Sequence, residues 1–125
     1  MSARIRSHRD LDVYKRAFKA SMEIFELSKR FPKEETYSLT DQIRRSSRAV
    51  SAMTAEAWAH RRYPAAFRSK LVGAAGEAAE TQAWLDHALA CDYLTLDTHT
   101  DFNDAWQQIW AMVNGMIDKT DRFCS

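Results

Sequence analysis

Residues 31–58 read FPKEETYSLTDQIRRSSRAVSAMTAEAW, and the way this stretch divides decides the fold. Pro32 pushes Phe31 out of the helical region, so a preceding helix ends here. Ser38, with Asp41 three residues on, resembles a capping box with Asp in place of Glu. An apolar line then follows at Leu39, Ile43, Val50, Met53 and Ala57 in steps that suit a helix. Ser46 and Ser47 interrupt it. Together with Ala49, Ser51, Ala52 and Ala55 they make a small-residue surface that lets another backbone come close. The spacing predicts a helix over about 38–61.

The same periodicity extends outward in both directions. Upstream, Leu11, Tyr14, Phe18, Met22 and Phe25 form one stripe; Val13, Ala17, Ala20, Ile24, Leu27 and Phe31 form a second. Two stripes make a wide apolar face, so a helix over about 10–31, capped by Ser7 or Asp10, meets more than one neighbour. Downstream, Pro64 suits a first helical turn. Phe67, Leu71, Ala74, Ala78, Leu85 and Ala88 then mark a helix over about 64–91. Gly73 and Gly76 each cost it roughly 1 kcal/mol against Ala, and their spacing suggests that close packing offsets the cost. After CDYLTLDTHTD (91–101), Phe102, Trp106, Ile109, Val113 and Met116 mark a fourth helix over about 97–120, widened by Trp110 and Ile117.

The 125 residues are 46% apolar and 28% charged, with three Gly and two Pro. So few turn formers argue against a sheet protein. The expected fold is all-α: an antiparallel up-down-up-down four-helix bundle over residues 10–118, with a basic arm at 1–9 and a fraying tail at 119–125. Helices one and four carry more apolar surface than such a bundle uses, which points to an oligomer interface.

Charge is divided along the chain. Residues 1–70 hold 16 Lys/Arg against 8 Asp/Glu, and residues 71–125 hold 2 against 9, for a net charge of +1. Such a dipolar chain can neutralise itself between helices, join subunits, or offer its basic half to an anionic partner. No run of apolar residues approaches a membrane span, and MSARIRSHRD (1–10) has no apolar core behind its charges. Cys91 and Cys124 have no metal spacing and form no disulfide framework. These features place the chain in the cytoplasm.

Chemistry finds little support. The chain has no Glu-x-x-His pair of the kind that di-iron bundles use, although Glu56 and His60 share a helix face. It has no Gly-x-Ser-x-Gly elbow and no Gly-rich phosphate loop. Glu56, Glu77 and Glu80 are expected to pair with Arg44, Arg45 or Arg48 on the facing helix, since lone buried charges are costly. The expectation is no enzyme, no metal and no cofactor. The candidate nucleic-acid contacts are Arg44, Arg45, Arg48, Arg61, Arg62, Arg68 and Lys70, helped by Arg4, Arg6 and Arg9 of the arm, with Trp58 and Tyr63 as stacking platforms. The competing view is a solvated face paired between subunits, which the pI near 7.8 favours.

The segments LDVYKRA (11–17), FPKEETYSLTDQIRRSSRAVSAMTAEAW (31–58), AAFRSKL (65–71) and EAAETQAWLDHALACDYL (77–94) together resemble the four-helix-bundle family named for proteins encoded in 23S ribosomal RNA intervening sequences. The similarity spans about residues 10–118. It is most specific from Phe31 to Trp58, with Gln42, Ile43, Arg44, Arg45, Ala55 and Glu56 in register. The resemblance implies a compact bundle, a ring-shaped homo-oligomer, most commonly a pentamer, and no enzyme activity. The related accessory variability determinants of diversity-generating retroelements form similar pentamers that bind nucleic acid and a reverse transcriptase. Two places depart from the pattern. Met53 and Thr54 stand where the family usually has Asn-Ile, and Ala59, His60 and Arg61 stand where relatives continue Arg-Lys-Arg.

The expected function is therefore a non-catalytic oligomeric scaffold that binds RNA or DNA without regard to sequence. The alternative is a protein-interaction hub, for a reverse transcriptase or another neighbour-encoded protein. Tyr14, Phe18, Trp106 and Trp110 are the candidate interface residues, and Glu56 and Glu80 the structural ion-pairing ones.

Overall fold

The computed structural model describes residues 4–125; the first three residues of the expected arm lie outside them. Among the described residues there are no strands. Five helices follow in order: α1 (Asp12–Ser28), α2 (Leu39–Ala59), α3 (Pro64–Ala90), α4 (Leu96–Asp118) and a short α5 (Thr120–Cys124). α2 packs on α1 and α3, and α3 also packs on α4 and α5. α1 and α4 meet along a thinner seam, and α1 and α3 stand at diagonal corners, without close backbone approach. Four main helices thus form the bundle that the periodicity predicts.

The two stripes of α1 separate cleanly. Val13, Ala17, Ala20, Ile24 and Leu27 are buried, whereas Phe18 and Met22 are 49% and 46% exposed. Trp106 is fully buried among the largest core side chains. It belongs to the line Trp106, Ile109, Val113 and Met116, so it is a core residue and not an interface residue. Trp110, one step out of that line, is 39% exposed.

The small residues of α2 do bring α3 close. Ser46 and Thr81 are fully buried, with their hydroxyls 2.9 Å apart. Thr81 Oγ1 also bonds the Glu77 carbonyl at 2.9 Å. One hydroxyl has one proton; if Thr81 donates to that carbonyl, Ser46 must donate to Thr81. Gly73 sits where a Cβ would collide with Met53 Cε, but a Cβ on Gly76 would meet nothing within 4 Å. Close packing within the chain therefore accounts for Gly73 only.

Local chemistry sets the helix ends. Ser38 does not cap α2 with its own side chain. The Glu35 carboxylate takes that place, accepting from Ser38 Oγ and the Leu39 amide with one oxygen, and from Tyr93 Oη with the other at 2.9 Å. Glu35 is held below the usual carboxylate range, by Ser38 first and Tyr93 next, and Tyr93 is pushed up to about 12, chiefly by Glu35. Ser7 and Asp10 form a reciprocal box, but around a single 3-10 turn at His8–Asp10 rather than at the start of α1. α3 ends with Asp92 in the left-handed region (φ 61°). The Asp92 amide reaches Leu89 O and the Tyr93 amide reaches Ala88 O, which satisfies the last carbonyls. The described part of the arm and the tail are more fastened than expected. Ile5 packs against the core, and the Phe123 ring lies 6.0 Å from that of Phe67.

The hydroxyl bridge yields a thermodynamic prediction. Thr81→Val should destabilise the fold by about 1–3 kcal/mol, the cost of stranding a buried partner. Ser46→Ala with Thr81→Val should cost less than the sum of the two single changes, as read from urea unfolding midpoints.

Candidate nucleic-acid interface

The basic residues of α2 and α3 do not form one surface. Arg44 and Arg48 turn toward α1, with guanidiniums 4.8 and 5.6 Å from the centre of the Phe25 ring. Arg44 Nε also donates to Ser28 Oγ at 2.7 Å. These two arginines serve as a lid over an aromatic side chain of α1.

Arg45 points the other way, to α3. Its Nη2 lies 2.8 Å from Glu80 and its Nη1 3.3 Å from Glu77. Glu80 thus pairs with the facing helix as expected. Burial works against the charge on Glu80, but the Arg45 contacts and a bond with Glu77 outweigh it, and its pKa falls. Glu77 moves the opposite way, raised by burial and then by Glu80. Arg45 is raised by both. Glu56 also pairs across helices, but its partner is Lys70 at 2.8 Å rather than an arginine of its own helix. Arg45 and Lys70 are therefore neutralised within the chain.

The remaining cations gather at the α2–α3 corner. The chain turns there in four residues: the Arg61 amide reaches Trp58 O and the Tyr63 amide reaches His60 O, and Pro64 then opens α3. Arg61 folds back over Trp58, 4.0 Å from the ring centre, and its Nη1 donates to the Trp58 carbonyl at 2.9 Å. It thereby meets the negative end of α2. Arg62, Tyr63 and Arg68 are exposed, and among the described residues no carboxylate lies within ion-pair reach of Arg61, Arg62 or Arg68. No Asp or Glu occurs from Ala57 to Gly76. A cleft of about 600 Å³ opens between His60–Tyr63 and Phe123–Ser125. Cys124 lines it, and burial pushes its thiol up although Arg68 and Arg61 act in the other sense.

The sequence thus named the corner cations, but it could not separate them from the arginines already engaged. It also missed the C-terminal turn as the second wall of the cleft. The only hint was Phe123, an aromatic residue in a segment too short for periodicity. Among the described residues no three His, Cys, Asp or Glu side chains gather as a metal-ligand set, and no helix is long and apolar enough to cross a membrane.

The family model described as 23S rRNA-intervening sequence protein matches residues 9–115. A solved structure from Bacteroides thetaiotaomicron, described as a protein with unknown function from the S23 ribosomal protein family, is similar with a TM-score of 0.76. It is 26% identical, and the match covers 84% of this chain and 97% of that one. No curated protein matches the chain.

The carboxylate pair on α3 gives a pH test. Arg45→Ala removes what lowers Glu80 and restrains Glu77, so both carboxyls then titrate above their unfolded value. A raised carboxyl favours folding below its unfolded pKa and loses that benefit as pH rises through the folded one. The variant should therefore be about 0.5–1 kcal/mol less stable than the parent near pH 7, and the gap should narrow toward pH 4 in paired denaturation curves.

Proposed function

The chain belongs to the family of 23S rRNA-intervening sequence proteins, and on that premise we propose that it is a non-catalytic, homo-oligomeric scaffold that binds RNA or DNA through the α2–α3 corner. The observation that carries this proposal is the unneutralised group Arg61, Arg62 and Arg68, on a stretch from Ala57 to Gly76 without a single carboxylate. Phosphate oxygens suit such a site. Guanidiniums bind them bidentately, and the displaced counterions supply the free energy.

Arg61 is held in place by Trp58, so little side-chain freedom is lost when a phosphate arrives. Tyr63 is 63% exposed beside it and offers a ring face to an unstacked base. One corner neutralises only a few phosphates. The corner repeated around an oligomer, a pentamer on the pattern the resemblance implies, would let weak contacts add. Arg45 and Lys70 play no direct part, because Glu77, Glu80 and Glu56 already satisfy them. Arg44 and Arg48 also stand apart, over Phe25.

Charge reversal tests the site. Arg61→Glu, Arg62→Glu and Arg68→Glu together should weaken gel retardation of single-stranded RNA at ~50 mM salt by at least about tenfold and flatten its salt dependence. The same reversal at Lys29, Arg30 and Lys33, at the opposite end of the bundle, should leave retardation unchanged. A parent protein that retards neither RNA nor DNA at that salt contradicts the proposal.

A further inference from the structure

The end of the bundle away from the α2–α3 corner holds a cavity that nucleic-acid binding at the corner does not use. It measures about 420 Å³ and lies between the start of α2 and the last turns of α3. That volume falls within the range of small-molecule sites, about 300–1,000 Å³. Three aromatic rings line it: Tyr37 just ahead of α2, and Trp84 and His87 on α3. Leu39 adds an apolar patch and Gln42 an amide.

The fold explains only some of these rings. Trp84 packs against the core with part of its surface, and its ring lies 5.5 Å from that of His87. Tyr37 has no such role. It is 94% exposed at the mouth of the cavity.

Charge decides what such a cavity takes. Among the described residues no Lys or Arg lines it, and its one carboxylate is Glu35. Ser38 and Tyr93 keep that group ionised by holding its pKa low. Next to the wall residues in sequence stand Glu34, Asp41 and Asp92, all exposed and, among the described residues, without an ion-pair partner. Two cations are close by in the chain. Lys33 is exposed beside Glu34. Arg45 reaches the Gln42 side chain at 3.4 Å, but Glu77 and Glu80 already neutralise it. Glu35 meets the positive end of α2 through the Leu39 amide. The negative end of α3 closes the other side, and a helix end of that sign favours a cation.

Aromatic walls beside a fixed negative charge suit one ligand class. We propose that this cavity binds a small quaternary ammonium ion, with its methyl groups against Leu39 and the rings and its charge toward Glu35. Ring faces attract such a cation electrostatically, and tryptophan does so best. The methyl groups lose little on leaving water, because they are apolar. The site is independent of the corner, and either can fail without the other.

Choline is the probe. The isotope-labelled full chain is titrated with choline chloride at about pH 8, where an ordinary imidazole is uncharged. The four tryptophan indole N–H signals are followed, and loss of one in Trp84→Phe identifies that of Trp84. The Trp84 signal should shift and saturate, while those of Trp58, Trp106 and Trp110 stay in place. Sodium chloride at equal concentration should not reproduce the shift. The alcohol in which carbon replaces the quaternary nitrogen should bind at least about fivefold more weakly. Tyr37→Ala, at a position outside the core, should weaken choline binding by about threefold or more. A Trp84 signal that does not saturate, or that sodium chloride moves equally, overturns the proposal. Equal binding of the uncharged alcohol overturns it too, because the cavity then selects apolar shape and not charge. Unchanged affinity in Tyr37→Ala takes the mouth ring out of the site and contradicts the aromatic cage.

Discussion

α3 is the helix on which the bundle is built: its buried line packs on both α2 and α4. Phe67, Leu71, Ala74, Ala78, Leu85 and Ala88 face the core; Ser46 and Met53 of α2 close on one flank; and Gln82 is tied to Asn103 and Gln107 of α4 on another. The rest of the bundle follows from this packing. α2 needs serine and alanine where it lies against α3. α4 must carry its apolar line at Trp106, Ile109, Val113 and Met116. α1 is left at the diagonal corner with only α2 and α4 to pack on. One side of α3, from Ala65 to Ala83, stays exposed.

The division of charge follows the same plan. Arg45 reaches across to Glu77 and Glu80, and Lys70 reaches back to Glu56, so that the α2–α3 seam is laced by ion pairs at its rim while its centre holds the Ser46–Thr81 hydroxyl bridge. Among the charges without ion-pair partners, two groups stand out. The α2–α3 corner keeps Arg61, Arg62 and Arg68, and α4 keeps Asp97, Asp101 and Asp104. The first suits a polyanion. A net charge of +1 conceals this, because it sums a basic corner and an acidic helix.

The apolar steps of three and four were enough to place four helices, since each core line is long and unbroken by charge. Finer points depended on contacts that no spacing records. Trp106 and Trp110 differ by one helical turn, and both fit a broad apolar face; only the fold decides that the first is buried and the second half exposed. Ser38 has the right neighbours for a capping box, but Glu35 and Tyr93, fifty-eight residues apart in sequence, supply the cap. Glu56 was legible as a paired carboxylate, yet its partner lies on the next helix and not among the nearer arginines. The seven basic candidates read as one group in sequence. In three dimensions they divide by helix face into arginines stacked on Phe25, cations held in ion pairs, and the open corner.

The central claim is that the chain works as a homo-oligomer that presents the α2–α3 corner several times over. Sedimentation equilibrium of the unmodified protein at micromolar concentration tests this most directly. The predicted result is a single species whose mass is a whole multiple, greater than two, of 14.4 kDa. A species of 14.4 kDa that does not change with concentration would contradict it.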